Sequence, residues 1–515
     1  MNKPHAIRAL LCAAGLGLIG NPAAAKPLNI VLLYVDDIGY GDLSCYNPDS
    51  KIITPHLDQL AAEGLRFTDA HCSSGICTPS RYALLTGRSH WRDFHGIDRG
   101  FDPPFIRPGQ LTMQKMLQES GYHTACIGKW HLGWDWSSIR KPDAEPGSVN
   151  HEDYVWTKAF RGGPVDHHFD YYFGDNVINF PPYAWIENDR LLSHPDMTLS
   201  RHGRGVTTIT ELERRQYTKE SHWGLRQGPA TSDWDFFEVL PTLTEKAVEY
   251  VLSRKGNDEP FFLYYPFTSP HIPVVPSDEY DATSEAGAYG DFVVQTDADC
   301  GRIIAALKEA GHYDNTIIIF TGDNGAEICA YLRDEKFDHW SSHPFRGLKR
   351  DIYEGGHRMP TILRWPGVTE PGTTTDALFS QTDLIGTFAS HLGYELPDDS
   401  AEDSFDFYPY LKGKVEDAPR VTMVHNTFPR AYAIRHHEWV LINARSGSQR
   451  GEPEEWLEKH GYPASDDHPV GLYNLAEDIG QRNNLAEKHP EKVTELQELL
   501  QEIRDGEHTS PRLAE

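Results

Sequence analysis

Residues 28–35 read LNIVLLYV, and two aspartates, Asp36 and Asp37, follow them directly. A strand in a parallel sheet is covered by helices on both faces, so it is apolar along its whole length and shows no alternation. This stretch therefore predicts a buried parallel strand. It also places two carboxylates at the carboxyl end of that strand, where open α/β sheets bind their ligands.

The same strand signal recurs along the chain, and helical patterns separate the strands. Thr54 and Pro55 are typical of a helix start, because threonine caps the first turn and proline needs no hydrogen-bonded amide there. The alternation predicts an α/β fold with a large doubly wound, mixed or parallel sheet flanked by helices. The predicted strands cover residues 122–127, 261–265 and 316–320, and the predicted helices cover residues 243–252 and 292–310.

The composition and the hydrophobic pattern of the sequence change near residue 400. Residues 398–406 are acidic and loop-like, and the short alternating segments after them are typical of a small antiparallel sheet. The sequence therefore predicts a large α/β domain over residues 26–399 and a smaller C-terminal subdomain of antiparallel strands and a helix over residues 400–515. Within the large domain, residues 142–231 show little periodicity, and we expect loops there that shape a pocket.

The start of the chain is typical of a cleaved export signal. Lys3 and Arg8 supply positive charge, residues 9–20 are apolar, and an A-x-A sequence ends at Ala25. The apolar run is shorter than the roughly 20 residues that a membrane-spanning helix needs. We therefore expect residues 1–25 to be a signal peptide, no transmembrane segment after its removal, and a periplasmic protein, with secretion as the alternative.

The charge of the chain excludes one class of partner and constrains the substrate. The 515 residues hold 48 Lys and Arg against 76 Asp and Glu, so the formal net charge is −28. General nucleic-acid binding needs basic surface to neutralise phosphates, so we expect no nucleic-acid partner. An anionic substrate would need a local basic pocket that overcomes the overall field. The seven cysteines include no C-x-x-C pair, which argues against a zinc ribbon or a thioredoxin site.

Polar side chains follow each predicted parallel strand. Because the carboxyl ends of parallel strands meet at one edge of a sheet, we expect these side chains to form one site. Their oxygen donors suit Ca²⁺ or Mg²⁺ rather than zinc or copper. One Asp-Asp pair alone is more often a turn or a cap, but a second polar pair at an equivalent strand end favours a metal site. The side chains are Asp36 and Asp37, Lys129 and His131, His271, and Asp323 and Asn324.

Lys129 and His131 are two residues apart, so in extended backbone their side chains point to the same side. A lone histidine is more often solvated or hydrogen-bonded within the fold than catalytic. The combination of Lys129, His131 and His271 at one sheet edge instead favours acid–base and anion-binding chemistry.

The most specific segment is 77-CTPSR-81, which is followed by 82-YALLTGR-88. Proline is favoured at the first helical position, so Pro79 predicts that Cys77 lies at a helix N-terminus. The helix dipole and the free amides there favour negative charge. The residues alone leave two interpretations of Cys77 open: a thiolate nucleophile and a buried structural cysteine.

This segment resembles the signature C-x-P-S-R, then x-x-L-x-T-G-R, of the type I sulfatases of the alkaline phosphatase superfamily. The resemblance extends from Asp36 to the LYNL segment at residues 472–475. It implies that a separate formylglycine-generating maturation enzyme oxidises Cys77 to Cα-formylglycine, and that the site binds Ca²⁺, with Mg²⁺ as an alternative. The implied metal ligands are Asp36, Asp37, Cys77, Asp323 and Asn324, and the implied catalytic and sulfate-binding residues are Arg81, Lys129, His131, His271 and Lys349.

The resemblance implies hydrolysis of sulfate monoesters, most often on a sulfated carbohydrate. The hydrated aldehyde at residue 77 would attack sulfur, His271 would protonate the leaving alcohol, and His131 would later take the proton whose loss expels sulfate. The alternatives are an arylsulfatase, a phosphonate monoester or phosphodiester hydrolase of the same superfamily, and a non-catalytic protein that binds sulfated glycans. Six arginines near the core motifs are either glycan-binding or ordinary surface charge: Arg88, Arg92, Arg99, Arg346, Arg350 and Arg358.

Overall fold

The structure, a computed structural model, describes residues 27–199, 225–428, 431–463 and 468–513. The predicted signal peptide lies outside the described residues. The strands are β1 Asn29–Val35, β2 Leu65–Phe67, β3 Ala70–His71, β4 His123–Ile127, β5 Tyr171–Gly174, β6 Ile186–Glu187, β7 Arg190–Leu191, β8 Met197–Leu199, β9 Gly228–Ala230, β10 Phe261–Pro266, β11 Thr316–Gly322, β12 Thr361–Arg364, β13 Thr373–Thr375, β14 Phe379–Ser380, β15 Thr422–Phe428, β16 Ala431–His436, β17 Trp439–Ile442 and β18 Gly471–Asn474. The helices are α1 Pro55–Ala62, α2 Cys77–Thr86, α3 Met113–Glu119, α4 Val239–Ser253, α5 Gly287–Ala310, α6 Ala330–Phe337, α7 Glu354–His357, α8 Asp383–Leu392, α9 Tyr408–Leu411, α10 Glu454–His460 and α11 Pro490–Asp505.

Strand β1 lies near the centre of a ten-stranded sheet, in the order β13-β2-β12-β11-β1-β10-β4-β5-β6-β7. It pairs in parallel with β10 on one side and with β11 on the other, so that Ile30 lies opposite both Phe262 and Ile317. All seven residues of β1 are buried. Strand β12 pairs in antiparallel with both of its neighbours, β11 and β2. The predicted mixed α/β sheet is therefore confirmed.

Alternate residues of β1 face two different hydrophobic cores. Val31 and Leu33 pack in a core with side chains from α1, α4 and α5. Ile30 and Leu32 pack in a second core with side chains from α2, α3 and α8. Helices therefore cover both faces of the sheet, and this two-sided cover explains why the strand sequence has no polar face.

The first helix begins where the sequence predicts. Helix α1 starts at Pro55, and Leu57 and Leu60 are buried on its inner side. Thr54 does not cap the helix amides through its side chain; its hydroxyl lies 2.8 Å from that of Ser44 instead. Among the helices of the described ranges, none is both long enough and apolar enough to cross a membrane.

The expectation of loops over residues 142–231 is wrong in part. Strand β5 extends the main sheet in parallel beside β4, and β6 and β7 continue the sheet in antiparallel pairing. Strands β8 and β9 form a small sheet of their own. Each of these strands has only two to four residues, which is too short for periodicity to reveal.

A four-stranded antiparallel sheet, β15 to β18, lies near the C-terminus with α11 against it. Leu496 and Leu500 of α11 pack with Ile434 and Leu441 of the sheet. The predicted C-terminal antiparallel strands and helix are therefore confirmed. Phe407, which precedes this sheet, belongs to the core beneath the main sheet, and the predicted boundary near residue 400 stays a prediction.

Candidate active site

Polar side chains lie at one edge of the main sheet, after the ends of its parallel strands. Asp36 and Asp37 follow β1, Lys129 follows β4, His271 lies beyond β10, and Asp323 follows β11. These four strands are parallel neighbours in the sheet. Their carboxyl ends therefore meet, and residues from distant parts of the chain converge on one edge.

Helix α2 places Cys77 against this edge. The helix starts at Cys77 itself rather than at Pro79, so the proline occupies the third helical position, where a missing amide still breaks no helical hydrogen bond. Cys77 is 3% exposed. Its Sγ and one carboxylate oxygen each of Asp36 and Asp323 lie within 4.8 Å of one another. Residue 77 thus lies at a helix N-terminus and among carboxylates.

Two lysines neutralise the first pair of aspartates. Nζ of Lys129 donates to Oδ2 of Asp36 at 2.6 Å, and Nζ of Lys349 donates to Oδ1 of Asp37 at 2.6 Å. All four side chains are buried. Burial opposes the ionised form of Asp36, but Lys129 and His271 outweigh it and hold the pKa of Asp36 well below its usual range. Asp36 is therefore a carboxylate, as a metal ligand must be.

Arg81 and Asn324 connect the two polar strand ends. The guanidinium of Arg81 contacts Oδ2 of Asp323 through Nε at 3.0 Å and through Nη2 at 2.8 Å. Nδ2 of Asn324 donates to Oδ1 of Asp37 at 2.7 Å. Burial and the neighbouring Asp36 raise the pKa of Asp323, and Arg81 opposes that rise. Arg81 thus lies between Asp323 and Asp36, whose Oδ1 is 3.8 Å from Nη2 of the guanidinium.

Three oxygens at this edge have no hydrogen-bond partner in the described part of the chain: Asp36 Oδ1, Asp37 Oδ2 and Asn324 Oδ1. All three residues are fully buried, where an unpaired polar atom costs about 1–3 kcal/mol. A donor set made of oxygens suits Ca²⁺ or Mg²⁺, so these residues fit a hard divalent cation. We call this group the strand-end pocket; it consists of Asp36, Asp37, Cys77, Asp323 and Asn324.

His271 lies beside the strand-end pocket. Its Nε2 is 3.6 Å from Oδ2 of Asp37, and its Nδ1 is 2.6 Å from the carbonyl of Ile272. Because a carbonyl oxygen only accepts, Nδ1 carries the hydrogen and Nε2 is the atom available to the pocket. Burial lowers the pKa of His271 to about 4, against the opposing charge of Asp37. The ring is therefore neutral near pH 7.

His131 follows Lys129 with its backbone in the left-handed region, at φ 54°. Its Nε2 lies 3.2 Å from the carbonyl of Asp98, and its Nδ1 has no hydrogen-bond partner in the described ranges. Burial, together with Lys129, lowers the pKa of His131 well below its usual range. His131 is thus a buried neutral ring with one free lone pair, which is the form of a base.

A further strand end, which sequence patterns did not reveal, reaches the same edge. Asp175 and Asn176 follow β5, and Oδ1 of Asn176 accepts a hydrogen bond from the amide of His131 at 3.2 Å. Neither carboxylate oxygen of Asp175 has a partner among the described residues, and burial raises the pKa of Asp175 to about 7. The apolar run YYFG before Asp-Asn is a short version of the signal that identified β1.

Most of the six arginines proposed for glycan binding engage carboxylates of the chain itself. Arg88 pairs with Asp93 and Glu402, Arg92 with Asp403, Arg346 with Glu452, Arg350 with Glu327, and Arg358 with Asp69 and Glu354. An arginine held by a carboxylate has its charge partly satisfied and its position fixed. For these five the structural interpretation is favoured over contact with a glycan.

The fold and the strand-end pocket together define an α/β enzyme that binds an anionic ester beside a buried candidate nucleophile. The Sulfatase family model matches residues 28–394, which is most of the chain. The chain belongs to the sulfatase family and is a sulfuric ester hydrolase.

Relatives of known activity are similar over nearly the full length. The chain is 33% identical over 502 residues to an N-acetylgalactosamine-6-O-sulfatase of Bacteroides thetaiotaomicron, covering 93% of each chain. It is 32% identical over 509 residues to arylsulfatase A of Homo sapiens, covering 96% of this chain and 90% of that one. A solved structure from Bacteroides thetaiotaomicron, determined in work on the metabolism of multiple glycosaminoglycans, superposes with a TM-score of 0.78 at 32% sequence identity. The match covers 94% of this chain and 100% of that one.

Proposed function

We propose that this protein hydrolyses sulfate monoesters of a sulfated carbohydrate, with a bound Ca²⁺ and with Cys77 converted to Cα-formylglycine by a maturation enzyme. The observation that carries the proposal is the strand-end pocket, where residue 77 lies among carboxylates beside unpaired buried oxygens. When both groups are present, the cation and the hydrated aldehyde supply an acidified nucleophile that a cysteine alone does not. Mg²⁺ is the alternative ion.

Substrate capture follows from the charges of the site. The three carboxylates of the strand-end pocket are balanced by Lys129, Lys349 and Arg81. A bound divalent cation therefore makes this region net positive, and it attracts a sulfate ester although the whole chain carries −28. Lys129 and Lys349 then donate to the sulfate oxygens and stabilise the charge that develops on them. Arg81 holds Asp323 in position through Nε and Nη2.

Two histidines divide the proton transfers. His271 protonates the departing alcohol through Nε2, because its Nδ1 hydrogen is committed to Ile272. Its pKa is about 4 in the free protein, and the negative charge of a bound sulfate ester favours the protonated ring. His271 therefore takes up a proton from solvent as the sulfate ester binds. His131, whose Nδ1 has a free lone pair, would serve as the base that accepts a proton from the modified residue 77 when sulfate leaves.

The substrate class rests on the relatives. Bacterial and mammalian relatives named N-acetylgalactosamine-6-sulfatase support a sulfated amino sugar, while arylsulfatase A supports the arylsulfatase alternative. The test measures sulfate release by protein produced together with a maturation enzyme, with 6-sulfated N-acetylgalactosamine, a panel of sulfated saccharides and nitrophenyl sulfate as substrates. Faster release from a saccharide supports the proposal. A preference for nitrophenyl sulfate over every saccharide overturns the carbohydrate assignment.

The cellular site of the reaction is part of the same proposal. Signal cleavage after Ala25 makes Lys26 the first residue of a mature periplasmic protein. N-terminal sequencing of the protein from a periplasmic fraction tests this directly. An N-terminus at Met1, or recovery with the cytoplasmic fraction, contradicts it.

A further inference from the structure

Three histidines meet in the interior, away from the strand-end pocket. His71 lies in β3, His357 is the last residue of α7, and His425 lies in β15 of the C-terminal sheet. Each is at most 1% exposed. One ring nitrogen from each histidine lies within 4.8 Å of the other two. We call these three residues the histidine cluster.

The outer nitrogens of two of the rings are committed as donors. Nε2 of His71 is 2.7 Å from Oδ1 of Asp69, and Nε2 of His357 is 3.2 Å from the carbonyl of Ile352. An ionised carboxylate and a carbonyl oxygen only accept hydrogen bonds, so each Nε2 carries a hydrogen. In a neutral ring, the other nitrogen then has a lone pair and no hydrogen.

Two lone pairs consequently face each other. Nδ1 of His71 and Nδ1 of His357 are 3.0 Å apart, which is hydrogen-bond distance, yet two acceptors repel at that distance unless a cation lies between them. The ring of His425 also has nitrogens without a partner. Neither of its ring nitrogens has a hydrogen-bond partner in the described part of the chain, although the ring stacks on His357 with the centroids 3.8 Å apart.

We propose that the histidine cluster binds a divalent transition metal ion, zinc being the first candidate, through one nitrogen of each ring. A proton shared by His71 and His357 would remove the repulsion between them but would leave His425 without a partner, whereas a metal uses all three rings. Imidazole donors select zinc, copper or nickel over calcium. Zn–N bonds of about 2.0–2.1 Å place tetrahedral ligand atoms about 3.4 Å apart, so the His425 ring must turn out of its stack on His357 when the ion binds.

The carboxylate of Asp69 supports a metal site. Asp69 lies behind His71, in the carboxylate–histidine arrangement that orients a metal ligand and raises its basicity. Asp69 also pairs with Arg358 at 3.2 Å and with Arg435 at 3.0 Å, and Arg358 pairs with Glu354 at 3.0 Å. The two carboxylates are therefore ionised and fixed in place. A water molecule would complete the fourth position.

The location of the histidine cluster indicates what the ion does. His71 precedes Cys77 by six residues, His357 follows Lys349 by eight, and His425 belongs to the C-terminal sheet. An ion held by these rings ties the segment before residue 77 and the segment after Lys349 to the second sheet. It is a structural metal, and it is independent of the sulfatase chemistry proposed above.

The experiment measures metal binding by the full-length protein. The protein is stripped with a chelator, exposed to zinc together with excess Ca²⁺, dialysed and subjected to elemental analysis. We expect one tightly held zinc per chain, a higher melting temperature with zinc, and, after loading with cobalt instead, the visible absorption bands of tetrahedral Co²⁺. Wild-type protein that retains no stoichiometric zinc and shows no such bands overturns the proposal without any variant being needed.

Variants then assign the site. His425→Gln should weaken zinc binding by about 100-fold or more, and Asp69→Asn by about 10–100-fold, the range found for residues that support a metal ligand. His436→Gln is the matched control, because His436 lies in the same sheet and its Nδ1 bonds to Thr422 instead. If wild type and His425→Gln bind zinc equally, the metal lies elsewhere and the assignment is wrong. A ¹⁵N spectrum of metal-free and zinc-treated protein that shows the same proton shared by His71 and His357 also contradicts it.

Discussion

The strand-end pocket and the histidine cluster are equally buried, but they present opposite donor chemistry. The pocket offers carboxylate and amide oxygens from loops after strands of one sheet. The cluster offers imidazole nitrogens from three elements, one of them in the second sheet. In both places a buried polar atom has no hydrogen-bond partner in the described part of the chain, which costs free energy unless an ion binds it. The type of ligand atom indicates which ion that is. The two proposed sites therefore differ in the ion that they should bind, a hard cation in the strand-end pocket and zinc in the histidine cluster.

The largest effect is expected at residue 77. Cys77→Ala should reduce kcat on the order of 10⁴-fold or more, because it removes the nucleophile. It should change the melting temperature little, because one small side chain is lost at the first turn of α2. Zinc binding by the histidine cluster should be unchanged. Cys300→Ala, which removes an equally buried thiol in α5, is the control, and turnover by Cys77→Ala at the rate of this control would refute the assignment.

The oxygen donors can be tested by an almost isosteric change. Asp323→Asn should lose Ca²⁺ binding and activity together, since it replaces a carboxylate ligand of the proposed Ca²⁺ site with a neutral amide. Calorimetric Ca²⁺ titration and sulfate release measure the two effects. Asp299→Asn serves as the control, because Asp299 is buried in α5 and burial raises its pKa to about 7. Loss of zinc together with Ca²⁺ in Asp323→Asn would show that the two sites are not independent.

His271 should matter more for a poor leaving group than for a good one. A sugar alkoxide needs a proton as the S–O bond breaks, whereas a nitrophenolate leaves unaided, and general-acid help is worth on the order of 10²–10⁴-fold. His271→Ala should therefore reduce kcat/KM for a sulfated saccharide by that factor and spare nitrophenyl sulfate by comparison. His131→Ala should slow both substrates. Equal losses on both substrates in His271→Ala would mean that His271 positions the sulfate rather than donating a proton.

The smallest effect is expected at His90, a buried histidine that belongs to neither site. It tests what burial alone does to the pKa of a histidine. Burial lowers the pKa of His90 to about 3, while an unfolded histidine titrates near 6.5. The unfolded chain therefore binds the proton first as the pH falls. His90 stabilises the fold above pH 6.5, and this contribution is lost between pH 6.5 and 3 at about 1.4 kcal/mol per pH unit.

His90→Gln should therefore lose stability less steeply with falling pH. Urea unfolding at several pH values from 7.5 to about 4.5 measures the free energy of unfolding of wild type and variant. The baseline is the difference in the free energy of unfolding between wild type and variant at pH 7.5, which includes any change in the contact with Asn426. Parallel stability curves would show that His90 takes up no proton on unfolding.

The part of the site that could be predicted lies after long buried strands. Residues 28–35 show an uninterrupted apolar run, so the strand and the position of Asp36 and Asp37 were both readable from sequence. Asp175 and Asn176 follow a strand of only four residues, and no periodicity can be established over that length. The same limit hid the strands within residues 142–231.

The histidine cluster could not be predicted for a different reason. His71, His357 and His425 show no metal-ligand spacing, because a two-stranded pairing, a one-turn helix and a second sheet bring them together. The preference of proline for the first helical position predicts a helix start at Pro79, two residues after the observed start at Cys77. A proline is tolerated anywhere in the first turn, where amides have no partner within the helix.

The pairing of β1 has a consequence for how the chain is made. Its neighbours β10 and β11 lie more than 230 residues further along, and Asn29 lies opposite Thr316. At synthesis rates of about 5–20 residues per second, roughly 12–46 seconds pass before β10 has been made and roughly 14–57 seconds before β11 has been made. During that time β1 is an apolar strand with both edges unpaired, which is the kind of segment that promotes aggregation during folding.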